Sequence, residues 1–164
     1  MSWVLHRIDD RLIHGQVLVA WGARLNPARI WLVDDDVAGS EWERRVYEDA
    51  APGVAVKVTG VNEAAAAWSA EAAAPGAAFL LVRDLATALR LSEAVPGPAT
   101  WNVGGLHYSP GKSKLNEYVY LGEADRAAAR KLLARGVQLE AQDVPATRAQ
   151  SLAALEPSLA APTP

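Results

Sequence analysis

Two short apolar runs limit what this chain can fold into. Ile30-Trp31-Leu32-Val33 and Phe79-Leu80-Leu81-Val82 carry no polar residue at alternate positions. Runs of this length are too short for a buried helix, so both read as strands covered on two faces. Between such runs lie stretches with helical spacing or helical propensity. Asn26-Pro27, Pro52-Gly53, Pro75-Gly76 and Pro96-Gly97-Pro98 punctuate them. This alternation predicts a doubly wound α/β fold, a three-layer α/β/α arrangement with an open sheet of about six to seven strands and helices on both faces.

Taken in order, strands are expected at Trp3–Ile8, Arg29–Val33, Val54–Val58, Phe79–Val82, Ala99–Val103, Tyr118–Leu121 and, as an edge strand, Val137–Val144. Helices are expected at Gly15–Leu25, from a capping box at Ser40 and Glu43 to near Ala51, at Glu63–Ala73 behind Asn62, at Leu85–Ala94 behind Asp84, and at Glu123–Arg135 ahead of Gly136. Residues 1–145 read as a single domain. Residues 146–164 read as an Ala/Pro/Ser/Thr-rich C-terminal extension with a frayed end.

Composition closes several routes. The net charge is −3 with no basic block, which argues against a nucleic-acid partner. Cysteine is absent, which removes disulfides, thiolate metal sites and thiol catalysis. No apolar run approaches the roughly 20 residues a membrane-spanning helix needs, so direct membrane insertion is not expected. Trp3-Val4-Leu5 is followed at once by charges, unlike a signal peptide. A cytoplasmic location is the expectation.

The chemistry concentrates between an apolar strand, Trp3-Val4-Leu5, and a helix with apolar residues at Val17, Trp21 and Leu25. The intervening stretch, Arg7-Ile8-Asp9-Asp10-Arg11-Leu12-Ile13-His14-Gly15-Gln16, falls on a strand-to-helix turn, the place where ligands bind in open parallel sheets. A neutral imidazole is a nucleophile, and two nearby guanidiniums favour the neutral ring. Arg7 and Arg11 suit phosphate oxygens, and the following helix start adds backbone N–H groups. Asp9 or Asp10 can fix the tautomer of His14, and Gly15 permits close approach. A nucleophilic histidine in an arginine-lined anion pocket suits phosphoryl transfer without metal or organic cofactor. The competing reading is a solvated charged loop with His14 as a polar helix-start residue.

The stretch from Arg7 to Val17 resembles the active-site loop of the enzyme IIB component of the mannose/fructose/sorbose family of the bacterial sugar phosphotransferase system. Residues 33–58 and 102–145 resemble that family's second strand to third strand and its C-terminal third. The resemblance implies a mostly parallel sheet whose later strands depart from simple alternation. It implies that His14 accepts a phosphoryl group, on Nδ1, from the phosphohistidine of a IIA component. His14 would then pass it to a sugar taken up by membrane IIC and IID components, as a protein-N(pi)-phosphohistidine–sugar phosphotransferase. Arg7 and Arg11 match the family's phosphate-contacting arginines. Asp9, Asp10, Gly15 and Gln16 would support the loop, and Asp35 and Asn102 would line the pocket; His107, beside Gly104 and Gly105, reads as a surface or half-buried turn histidine ahead of a second pocket histidine. A peripheral association with the permease follows, and a homo-oligomer stays open. Two alternatives remain: a regulatory phosphoprotein not coupled to sugar transport, and a histidine phosphatase or mutase. The second class places arginine immediately before its histidine, where this chain has Ile13.

Other signals are weaker. Asp34-Asp35-Asp36 reads as a helix-capping or solvated cluster ahead of any metal site, for want of a fourth ligand. Gly105 to Ser113 nearly makes a P-loop but has five residues between its glycines instead of four. His6 reads as a packed strand histidine. The tryptophans read as core and interface anchors, with Trp42 and Trp68 facing a partner.

Overall fold

The computed structural model describes residues 3–160. The main sheet is built from β1 (Trp3–Asp9), β2 (Arg29–Val33), β3 (Ala55–Thr59), β4 (Ala78–Val82), β5 (Thr100–Gly105), β8 (Gln138–Ala141) and β9 (Gln150–Ser151). Between β5 and β8 a separate antiparallel hairpin forms from β6 (Ser113–Asn116) and β7 (Val119–Leu121). Sheet order is β3-β2-β4-β1-β5-β8-β9, parallel throughout except for β9.

The apolar run of β2 explains the layers. Ile30 and Leu32 point into one core and Trp31 and Val33 into the other. The first core is closed by a π-helical turn, Val17–Trp21, continuing into α1 (Gly22–Leu25), and by α2 (Asp35–Gly39) and α3 (Glu41–Glu48). The second is closed by α4 (Val61–Ala73), α5 (Leu85–Ala94), α6 (Glu123–Ala134) and α7 (Leu152–Leu155). Strand pairing aligns Ile8 with Val82 and Asp9 with Gly105, so the carboxyl ends of β1, β4 and β5 share one edge. The chain leaves β1 toward β2 on one side and leaves β5 toward β8 on the other. The crevice between β1 and β5 is therefore a switch point of the sheet.

Four local expectations are corrected. Helix one is not uniformly α: Gly22 N–H reaches back to the Val17 carbonyl, the five-residue π spacing that often marks functional helices. Asn62 is not the cap of α4. Gly60 holds that position, and the Asp35 carboxylate accepts the Val61 N–H at 2.8 Å. Val137–Val144 is not an edge strand, because β9 pairs antiparallel outside β8. The segment expected to fray is packed as far as Ala160. Leu152 and Leu159 are buried in the second core, and Glu156 grips the Arg126 guanidinium at 2.8 and 2.9 Å. Residues 161–164 lie outside the described residues. Ser40 and Asp84 do cap α3 and α5 through the N–H groups of Glu43 and Thr87.

Candidate functional site

The turn after β1 is built around Asp9. Its Oδ1 accepts the Arg11 backbone N–H at 3.1 Å and Arg11 Nε–H at 3.0 Å. Its Oδ2 accepts one N–H from Arg11 Nη2 and one from Arg7 Nη2, each at 2.9 Å. Burial raises the Asp9 pKa, but the hydrogen bonds and charges of Arg11 and Arg7 outweigh it and hold the carboxyl below its ordinary value. Asp9 is thus a buried, fully ionised hub for two cations.

The two arginines are not equivalent. Arg7 is fully enclosed. Its Nη1 donates to Asn102 Oδ1 at 2.5 Å and to the Gln142 carbonyl at 3.0 Å, its Nη2 donates to Asp9 and to the Asp143 carbonyl, and it lies over the Trp21 ring. Each terminal nitrogen therefore has two acceptors inside the protein. Arg7 Nη1 and Nη2 are thus committed inside the protein, while its buried Nε–H has no hydrogen-bond partner among the described residues. Arg11 is about one-third exposed and is tied only to Asp9 among the contacts described. Gly104 makes this packing possible, because a Cβ there would fall on the Arg7 guanidinium. A Cβ on Gly105 would press on Arg11 and Asp9. The paired glycines do allow a close approach, and it is the chain's own arginines that make it.

His14 follows on a strained support. Leu12 is fully buried and holds φ at 58°, a left-handed conformation costing a non-glycine residue roughly 1–2 kcal/mol. That geometry aims the Leu12 carbonyl at His14, whose Nδ1–H donates to it at 2.9 Å. Nε2 is then the lone-pair nitrogen; it is enclosed, without a hydrogen-bond partner, 3.8 Å from Asp9 Oδ2. Burial first, then the two guanidiniums, lowers the His14 pKa against the opposing pull of Leu12 and Asp9, so the ring is neutral at pH 7. Gly15 and Gln16 are exposed beside it, and the space where a Gly15 Cβ would sit is open.

Asp10 turns the other way. Its backbone N–H donates to the Gly105 carbonyl, and its carboxylate accepts from His107 twice, from the backbone N–H at 2.7 Å and from Nδ1 at 2.6 Å. Asn102 supports Arg7 and reaches Gln142. Asp35 is not part of this arrangement. It sits after β2, with β4 between it and β1, and is engaged by Val61 and by Arg90 Nη1 at 2.6 Å. Asp34 is likewise occupied, capping α2 and bonded to Arg83. Leu12, Gln142, Asp143 and Trp21, whose indole donates to the Asp143 carbonyl, escaped the sequence reading. Most act through backbone atoms, which leave no trace in residue type. Trp68 is buried, whereas Trp42 is 74% exposed on α3.

The fold is thus a doubly wound α/β sheet with a strained strand-to-helix turn at its switch point, where a neutral histidine stands beside an arginine and a buried carboxylate. The model of the PTS system sorbose subfamily IIB component matches residues 3–160, and the chain belongs to that family. It is 37% identical over 144 residues to the sorbose-specific EIIB component of Klebsiella pneumoniae, covering 85% of this chain and 86% of that one. It is 36% identical over 141 residues to the mannose-specific EIIAB component of Escherichia coli K12, covering 85% of this chain and 44% of the longer protein. The chain thus spans under half the length of that relative. The crystal structure of the IIBSor domain of the sorbose permease from Klebsiella pneumoniae superposes with a TM-score of 0.87 at 33% identity, covering 96% of this chain and 98% of that one. Among the described residues no helix is long and apolar enough to cross a membrane.

Proposed function

We propose that this chain is a cytoplasmic phosphocarrier that takes a phosphoryl group onto His14 from the phosphohistidine of a IIA component. It then passes the group to a sugar held by membrane IIC and IID components, acting as a protein-N(pi)-phosphohistidine–sugar phosphotransferase. The observation that carries this reading is the neutral His14 beside a guanidinium, Arg11, that only Asp9 holds. As the phosphoryl group arrives, Arg11 exchanges one anion for another, while Arg7 stays with Asp9 and keeps the turn in shape. In the resting ring Nδ1 carries the proton donated to Leu12. Phosphorylation on Nδ1, as the family resemblance implies, therefore requires the ring to leave that carbonyl and its proton to pass to Nε2, so that the freed Nδ1 lone pair forms the P–N bond as the donor histidine's P–N bond breaks. Charge stabilisation comes from the arginine, so no cofactor enters.

The test is incubation with phosphorylated IIA and mapping of the acid-labile phosphate. Label is expected on His14 and absent in His14→Ala. Arg11→Lys, which replaces a two-toothed grip with a point charge, is expected to slow transfer by ~10²-fold. Label persisting in His14→Ala overturns the assignment. Release of phosphate from a small phosphoester without any partner indicates a phosphatase instead.

A further inference from the structure

The Asp10–His107 pair is tied to the same turn as His14 and has no part in holding Arg7, Arg11 or His14. We propose that His107 is the general base of the onward transfer step, taking the proton from the acceptor hydroxyl, with Asp10 as its positioning residue; this rests on the phosphocarrier reading above.

Transfer from phosphohistidine to a hydroxyl releases a proton. The P–N bond to His14 breaks and its electron pair returns to the ring. A P–O bond forms to the hydroxyl oxygen, and the hydroxyl proton needs an acceptor. Asp9 is poorly suited, since it is buried and, even with the Arg11 side chain turned to the phosphoryl group, Arg7 Nη2 and the Arg11 backbone N–H stay on its two oxygens. Arg7 and Arg11 are cations, and His14 is the leaving group.

His107 differs on each count. Its Nδ1–H donates to Asp10 at 2.6 Å, which in the neutral ring leaves Nε2 as the lone-pair nitrogen. Its side chain is 55% exposed. Its backbone N–H donates to the other Asp10 oxygen, so the carboxylate is dedicated to this one residue among the contacts described. The pair also belongs to the same turn. His107 lies two residues beyond Gly105, whose carbonyl takes the Asp10 N–H and whose Cα hydrogens face the Arg11 guanidinium. The charged groups around it are Asp10, on which it rests, and Arg11, across Gly105. Tyr120 reaches this segment through the Tyr108 ring. When Nε2 takes the proton, the imidazolium forms against Asp10 and later releases the proton to water. Arrival of the phosphoryl group from a donor histidine moves no hydroxyl proton, so the pair belongs to the second half-reaction alone.

The experiment separates the halves. Wild type, His107→Ala, His107→Gln and Asp10→Asn are phosphorylated by IIA, then chased with membrane vesicles carrying IIC and IID and labelled sorbose or mannose. Onward transfer is expected to fall by 10²–10⁴-fold in both His107 variants and by less in Asp10→Asn. Arrival of label should change far less, and free imidazole should restore part of the transfer in His107→Ala. The acid-side decline of the wild-type pH profile should flatten in His107→Gln. Nitrogen shifts should show the Nδ1–H tautomer of His107 in wild type and a mixture in Asp10→Asn. Unchanged onward transfer overturns the proposal, as does equal loss in both halves without imidazole rescue, which marks a structural latch. Absence of label in wild type overturns the phosphocarrier reading itself, and this proposal with it.

Discussion

The two ends of β1 each enclose titratable groups, and they do it in opposite ways. At the amino end His6 packs between the rings of Trp3 and Trp101, at 6.1 and 6.0 Å, and burial pushes its pKa down to about 4 against a smaller pull from the Thr100 backbone. That end keeps its histidine uncharged. At the carboxyl end Arg7 and Asp9 are buried as ions, each compensated by the other, by Arg11 and by backbone carbonyls. Neutralisation needs only apolar neighbours. Ion pairing needs partners set around each charge, and the carboxyl end is the one with a left-handed Leu12 and paired glycines against the guanidiniums. The lesson is that fixed charge is kept where charge is to be handled, and removed elsewhere on the same strand.

The comparison breaks most sharply at Asp9. Asp9→Asn leaves Arg7 buried without its counter-charge and is expected to cost about 3–5 kcal/mol in urea unfolding. A loss under about 1 kcal/mol would mean that the carbonyls of Gln142 and Asp143 satisfy Arg7 unaided.

The amino end is probed by acid. A base whose folded pKa lies below its unfolded value of roughly 6.5 favours the folded state while neutral. The His6 contribution is therefore whole above about pH 6.5 and drains away as pH falls toward 4, amounting to roughly 3 kcal/mol. Asp9 has its carboxyl pKa lowered, so its contribution is present above the unfolded carboxylate value of about 3.9 and is lost only as pH falls further. Stability measured from pH 7 to 3 should fall first through the histidine window, to which His14 with its lowered pKa also contributes, and His6→Phe should remove the His6 share of that loss while leaving the carboxylate window unchanged. An unchanged profile in His6→Phe would show that the early loss comes from elsewhere.

Removing both charges at the carboxyl end sharpens the contrast further. The double variant Arg7→Met/Asp9→Leu is expected to be more stable than Asp9→Asn, with a coupling of about 1–3 kcal/mol in a double-mutant cycle. Strict additivity would show that the two ions do not depend on each other.

The smallest effect belongs to the third member of the cluster. Arg11 is partly exposed, so Arg11→Lys should change stability by no more than about 1 kcal/mol. A larger loss would make Arg11 a structural ion like Arg7 and remove the basis for its exchange between anions.

Much of the fold was legible because it rests on residue type at short range. The apolar runs of β2 and β4 announced strands covered on both faces, and Ser40 and Asp84 announced helix starts that the structure contains. Asn62 misled because the helix begins before it: Val61, whose N–H is taken by Asp35, 26 positions earlier in the chain, is already its first residue, and the Ala64 N–H bonds the Gly60 carbonyl. The last turn went unseen because alanine and proline hide Leu152 and Leu159, whose partners lie in the second core. At the site, the histidine, the arginines and the neighbouring aspartates were all legible as a cluster, but their division of labour was not.

The sequence by itself determined the alternation, the edge at which the charged turn falls, and the residue types gathered there, since these depend on periodicity and local propensity. Only the tertiary structure decided that Arg7 is enclosed while Arg11 is partly exposed. Only it decided that Asp9 serves the cations while Asp10 serves His107, and that Leu12 is held left-handed to set the proton of His14. Those outcomes depend on which strand lies beside β1, because β5 brings the two glycines and His107 while β8 leads into the carbonyls of Gln142 and Asp143. Burial and hydrogen-bond partners are set by contacts between residues about a hundred positions apart, and no local pattern encodes them.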